Sequence, residues 1–130
     1  MPTKKQSQFN ELTKAELEIM QIVWEINKEF IVRDVHDKFN EPKPAYNTVS
    51  TIVRILDSKG FLVHKSYGRT NVYQAAVSKE EYTNSYMHGV LSNFFDGSLS
   101  RLVTFFSQRK DISLKEADEI LEIMNHLKQN

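Results

Sequence analysis

The stretch Ala45-Tyr46-Asn47-Thr48-Val49-Ser50-Thr51-Ile52-Val53-Arg54-Ile55-Leu56, closed by Lys59-Gly60, joins an apolar helical stripe to a polar face without a carboxylate. Val49, Ile52, Val53 and Leu56 stand at i, i+3, i+4 and i+7, the repeat of one face of an α-helix. With that stripe turned to a core, Asn47, Ser50, Thr51 and Arg54 project outward, with Tyr46 and Thr48 at the start. Exposed helix positions ordinarily carry Glu, Lys or Gln, whereas Asn, Ser and Thr are poor helix formers. Their value is a short hydrogen-bonding reach toward a major-groove wall, and an arginine can fork onto guanine or phosphate. The plainer reading is a solvated helix that tolerates poor formers. Gly60 suits the left-handed residue that ends such a helix.

Working outward, Val32, Val35, His36 and Phe39 repeat the same spacing and predict a short helix before it. Asn40-Glu41-Pro42-Lys43-Pro44 ends that helix, because proline lacks an amide donor and forces extended backbone. Upstream, Thr13 and Glu16 form a capping box that opens a longer helix ending near Asn27. Its stripes, Leu17-Met20-Trp24 and Ile19-Val23-Ile26, bury it on more than one side. Downstream, Phe61 to Tyr67 and Asn71 to Ala75 flank Gly68-Arg69-Thr70 and predict a β-hairpin. Three helices followed by a hairpin is the order of a winged helix-turn-helix. Lys65 and Arg69 of the hairpin could reach backbone phosphates or a minor groove.

Two further capping boxes, Ser78…Glu81 and Ser113…Glu116, mark helices after the hairpin. Tyr82, Tyr86, Val90 and Phe94 recur at spacing four, and Leu99, Leu102, Val103 and Phe106 follow the helical repeat. A last helix carries Leu114, Ala117, Leu121 and Met124 beside Ile120, Ile123 and Leu127. So small a helical module has little interior in which to hide such stripes. Pairing with a second copy buries them, and Tyr86, Val90, Phe94, Leu99, Leu102, Val103, Phe106, Leu121 and Met124 are the expected dimer contacts. The competing arrangement folds these helices back onto the winged part. The expected fold is thus mainly α with a small β-hairpin. A polar tail spans 1–10, a winged helix-turn-helix DNA-binding domain 11–77 and a helical dimerisation domain 78–130.

Net charge is zero, yet its distribution is uneven. Residues 1–77 carry 11 Lys/Arg against 9 Asp/Glu, and residues 78–130 carry 6 against 8. From Lys43 to Val77, five cations (Lys43, Arg54, Lys59, Lys65, Arg69) face Asp57 alone. Screening in physiological salt acts over about 8 Å, so a short basic stretch can bind DNA on a neutral protein. There is no cysteine, which excludes disulfides and thiolate metal sites. Apolar runs are too short to span a membrane, and the polar N-terminus lacks the apolar stretch of a signal peptide, so the cytoplasm is the expected compartment. His36, His64, His88 and His126 are scattered, His36 reads as a core residue, and no phosphate loop or nucleophile elbow occurs. No enzyme, metal or cofactor is expected.

Leu12-Thr13-Lys14-Ala15-Glu16-Leu17-Glu18-Ile19-Met20 with Trp24, then Thr48 to Leu56, and Lys59-Gly60-Phe61-Leu62 resemble the penicillinase repressor family. The similarity runs from about residue 10 to 127 and includes Gly97, Leu102-Val103 and Phe105. It implies a homodimeric repressor that occludes promoters at palindromic operators, reading DNA with Tyr46, Asn47, Thr48, Ser50, Thr51 and Arg54. It also implies, as partner, a membrane-bound antibiotic-sensing metalloprotease that cleaves the repressor. The family's scissile Asn-Phe aligns near Thr104-Phe105, whereas the Asn-Phe of this chain is Asn93-Phe94, earlier in the sequence. The cysteine cluster of copper-responsive relatives is missing. Two other functional classes fit the residues less well. One is a winged-helix protein-interaction module that does not touch DNA; the other is a ligand-sensing regulator, for which no buried polar cluster is apparent.

Overall fold

A computed structural model describes residues 11–110 and 112–129. Helix α1 (Lys14–Ile26) starts where Thr13 and Glu16 satisfy each other's backbone amides. Glu16 N donates to Thr13 Oγ1 at 3.2 Å, and Thr13 N donates to Glu16 Oε1 at 3.0 Å. It stops at Asn27, which takes the left-handed conformation at φ 56° while its amide closes onto Val23 O. Helix α2 (Val32–Asp37) follows, its start held by the Asp34 carboxylate, which accepts from Ile31 N. Helix α3 (Tyr46–Ser58) ends at Lys59, and Gly60, at φ +88°, reverses the chain into the hairpin.

Strands β1 (Leu62–Tyr67) and β2 (Thr70–Ala75) pair antiparallel from Leu62↔Ala75 to Tyr67↔Thr70. Gly68, at φ +63°, is the first of the two turn residues, where a hairpin tip needs a positive φ. A short third element escapes the period-2 pattern: Phe30 pairs with Tyr73, exchanging both backbone hydrogen bonds at 2.8 and 2.9 Å. One residue is too short to alternate, so no pattern announces it.

The chain divides into two compact units between Met87 and His88. In the first, Ile19, Met20 and Val23 of α1, Val35 of α2, and Val49, Val53 and Leu56 of α3 pack with Phe30, Phe61, Leu62 and Tyr73. Helix α4 (Lys79–Phe95) contributes Tyr82 to this core. The Tyr82 hydroxyl accepts from Leu12 N at 2.9 Å, and its ring meets Phe61 edge-on. The Trp24 indole N–H reaches Val77 O at 2.9 Å, so polar atoms of the large aromatics are satisfied as they are buried. The second unit contains α5 (Leu99–Gln108) and α6 (Leu114–Gln129), opened by Ser98 and by the Ser113–Glu116 box. Phe95, Phe105 and Phe106 pack edge-on in sequence, and the Arg109 guanidinium lies 4.5 Å from the Phe105 ring centre.

Glu16 has a second role that its capping position does not reveal. Lys59, at the end of α3, donates to both Glu16 oxygens at 2.9 Å. The carboxylate side chain is 7% exposed and the ammonium side chain 28%. Burial pushes the Glu16 carboxyl up, but the Thr13 amide and the Lys59 ammonium outweigh it, and the net shift is below the ordinary value of 4.5. A carboxyl depressed in the folded state stabilises at neutral pH, and that contribution fades as pH falls through the folded value. Glu16→Gln should therefore destabilise by about 1–3 kcal/mol at pH 7. In urea titrations the difference from wild type should shrink steadily as pH drops below the ordinary glutamate range. Leu56→Ala, which opens a fully buried site, should cost about 2–5 kcal/mol with no such pH dependence.

Candidate nucleic-acid interface

The setting of α3 follows from its inner face. Val49, Val53 and Leu56 are each 0% exposed, and Ile52 is half-buried against the same core. Rotating the helix would expose three apolar side chains worth about 1.5–3 kcal/mol each. The outer face is thereby fixed: Tyr46, Asn47, Thr48, Thr51 and Arg54 are exposed and Ser50 is half-buried. These residues share one surface, free of carboxylates from Tyr46 to Leu56. The Arg54 guanidinium lies along it, donating from Nη1 to Ser50 Oγ at 3.1 Å and from Nη2 to Thr51 Oγ1 at 3.4 Å.

Two braces hold the N-terminal end of this face. His36, half-buried in α2, bonds through Nε2 to Pro44 O at 3.0 Å and meets the Tyr46 ring edge-on. The expected core histidine is thus a strut between α2 and the start of α3. At the C-terminal end, Asp57 pairs with His64 of β1, Oδ2 to Nδ1 at 2.6 Å, and the imidazole lies beside Tyr73. Helix α3 and the hairpin are therefore tied by a side-chain contact as well as by the short turn between them. Asp57 and His64 carry no recognisable motif and stand seven positions apart, so spacing gave no signal for this contact.

In the hairpin, Lys65, Tyr67 and Arg69 are exposed, and Ser66 donates to Asn71 across the strands at 2.8 Å. Lys65 and Tyr67 point to the same face, and Arg69 sits in the turn. The basic stretch from Lys43 to Val77 needs one revision: Lys59 is held by Glu16 and its charge is largely spent inside the protein. Lys43, whose Nζ donates to Asp37 O at 3.3 Å, and Arg54, Lys65 and Arg69 supply the remaining positive charge, and the single acid of the stretch, Asp57, is half-buried and bonded to His64.

The residues expected at a dimer contact lie on three helices. On α4, Tyr86 stacks on Tyr82, Val90 is half-buried and Phe94 is 75% exposed. On α5, Leu99 and Phe106 are exposed, whereas Leu102 and Val103 are half-buried. On α6, Leu121 and Met124 are exposed. Leu99, Val103, Ala117, Ile120, Leu121 and Met124 line an apolar cavity of about 340 Å³ between α5 and α6. Among the described residues, no three His, Asp or Glu side chains converge as metal ligands, and no helix is long and apolar enough to cross a membrane.

Over residues 12–126 the chain matches the penicillinase repressor family. It is 28% identical over 121 residues to the penicillinase repressor of Bacillus licheniformis, covering 91% of this chain and 92% of that protein. To the methicillin resistance regulatory protein MecI of Staphylococcus aureus it is 24% identical over 116 residues, covering 88% and 94%. A solved structure of a ZitR double mutant from Lactococcus lactis aligns with a TM-score of 0.44 and 11% identity, over 99% of this chain and 82% of that one.

The charge assignment can be checked by salt titration of binding to duplex DNA. Each phosphate contact contributes about 0.9 to the slope of log affinity against log salt. Arg69→Ala should lower the slope by about 1. Lys59→Met, assayed where it is folded, should leave the slope unchanged, because its ammonium faces Glu16.

Proposed function

Because the chain belongs to the penicillinase repressor family of DNA-binding transcriptional repressors, which are not enzymes, we propose that it acts as a homodimer on palindromic operators. In this reading α3 enters the major groove and blocks transcription of the genes behind the operator. The observation that carries it is the carboxylate-free outer face of α3, held outward by three fully buried residues on its inner side. Tyr46, Asn47, Thr48, Ser50, Thr51 and Arg54 make up the face that lies in the groove, while Lys65 and Arg69 hold the flanking backbone.

Dimerisation through α4, α5 and α6 is supported by apolar side chains that one copy leaves in water. Phe94 is 75% exposed, Leu99 51% and Leu121 59%. A symmetric pair buries both sets at once and sets two copies of α3 one or more DNA turns apart. The protein works in the cytoplasm, where the chromosome is reached. A membrane-bound sensor metalloprotease completes the proposal as a partner. A cut near Thr104-Phe105, where the family's site aligns, would fall inside α5 and divide its apolar face.

Arg54→Ala should weaken binding to sites selected from random duplex DNA by about 1–3 kcal/mol and relax the preference there. Leu121→Asp should shift the protein from dimer to monomer in analytical ultracentrifugation and weaken binding to a two-half-site duplex. A chain that binds no duplex DNA even at low salt would instead be a protein-interaction module.

A further inference from the structure

We propose that Ser50 and Thr51 are positioning residues that set the Arg54 guanidinium for one base pair, and do not read bases of their own. This rests on the reading that α3 enters the major groove.

Long side chains on a helix lean toward its N-terminus, over the turn that precedes them. For Arg54 that turn presents Ser50 and Thr51, at i−4 and i−3, and Nη1 and Nη2 each donate to one hydroxyl. The nearest acid on the helix, Asp57, stands at i+3 and would ordinarily draw an arginine the other way. It is already held by His64 Nδ1 at 2.6 Å, which leaves the hydroxyls as the partners for the guanidinium. The choice of partner has an electrostatic consequence. A carboxylate at 50 or 51 would fix the arginine but cancel its charge; a neutral hydroxyl holds the fork and leaves the full positive charge for DNA. Two anchors also define the plane of the guanidinium, and a planar fork is what bidentate recognition of a guanine edge requires. Its other N–H groups remain to face the groove. A side chain so long otherwise loses much rotamer freedom on binding, and prior anchoring reduces that cost.

Preferences of the full-length protein selected from random duplex pools test this. Arg54→Ala and the double variant Ser50→Ala/Thr51→Val should lose preference at the same base pair. Each should bind the selected site about tenfold more weakly, and the triple variant no more weakly than Arg54→Ala alone. Ser50→Thr/Thr51→Ser, which keeps both hydroxyls, should restore the wild-type preference. Valine and alanine form helices at least as well as the residues they replace here, so folding should be retained, and circular dichroism can verify it. If the hydroxyl variants lose preference at base pairs that Arg54→Ala leaves intact, or lose none, the positioning role is overturned while groove entry by α3 stands. If Arg54→Ala changes no preference at all, Arg54 reads no base and the positioning role falls, whereas groove entry by α3 falls only if the wild-type protein selects no sequence.

Discussion

The burial of Val49, Val53 and Leu56 is the constraint on which the rest depends. Three residues without solvent exposure on one helix leave a single rotational setting, and that setting decides what the opposite face offers. Because the stripe is apolar at every turn of α3, the outer residues are not needed to fill the core. Asn, Ser and Thr, poor choices for helix stability, then have another use. Glu16 supports the arrangement from the far end of the helix. By holding Lys59 while closing the α1 cap, it ties the start of one helix to the end of another.

Charge on this protein works by location. The chain is neutral overall, and one of the five cations in its basic stretch is consumed internally. What remains outward is small in number, but Asp57 is half-buried and bonded to His64, and no acid lies on the exposed part of α3. Because screening acts over about 8 Å, the local balance of charge on a face counts for more than the net charge of the chain. Because Asp57 is bonded to His64, Arg54 lies on Ser50 and Thr51, and a contact with the hairpin bears on the geometry of the face.

The C-terminal helices follow a different logic. The N-terminal unit closes its own core around Phe30, Phe61, Tyr73 and Tyr82. Helices α5 and α6 instead leave Leu99, Leu121 and their neighbours in water, and no described residue of α5 is fully buried. So few helices have little interior in which to enclose their apolar stripes. One unit is thus closed around its own core, and the other leaves apolar faces uncovered.

The sequence by itself determined every interaction that repeats within a turn. All three capping boxes, the apolar stripes of α2 and α3 and the hairpin with Gly68 at its tip were legible from residues three or four apart, or two across a strand. The family was legible too, because its motifs are local strings. Only the tertiary structure decided the contacts that join distant segments. Glu16 with Lys59, Phe30 with Tyr73, Leu12 with Tyr82 and Asp57 with His64 have no period, and each exists only after the chain has reversed direction. Propensity and spacing act through neighbours along the chain, whereas a buried ion pair or a single-residue bridge is selected by which surfaces the folded core brings within hydrogen-bonding distance.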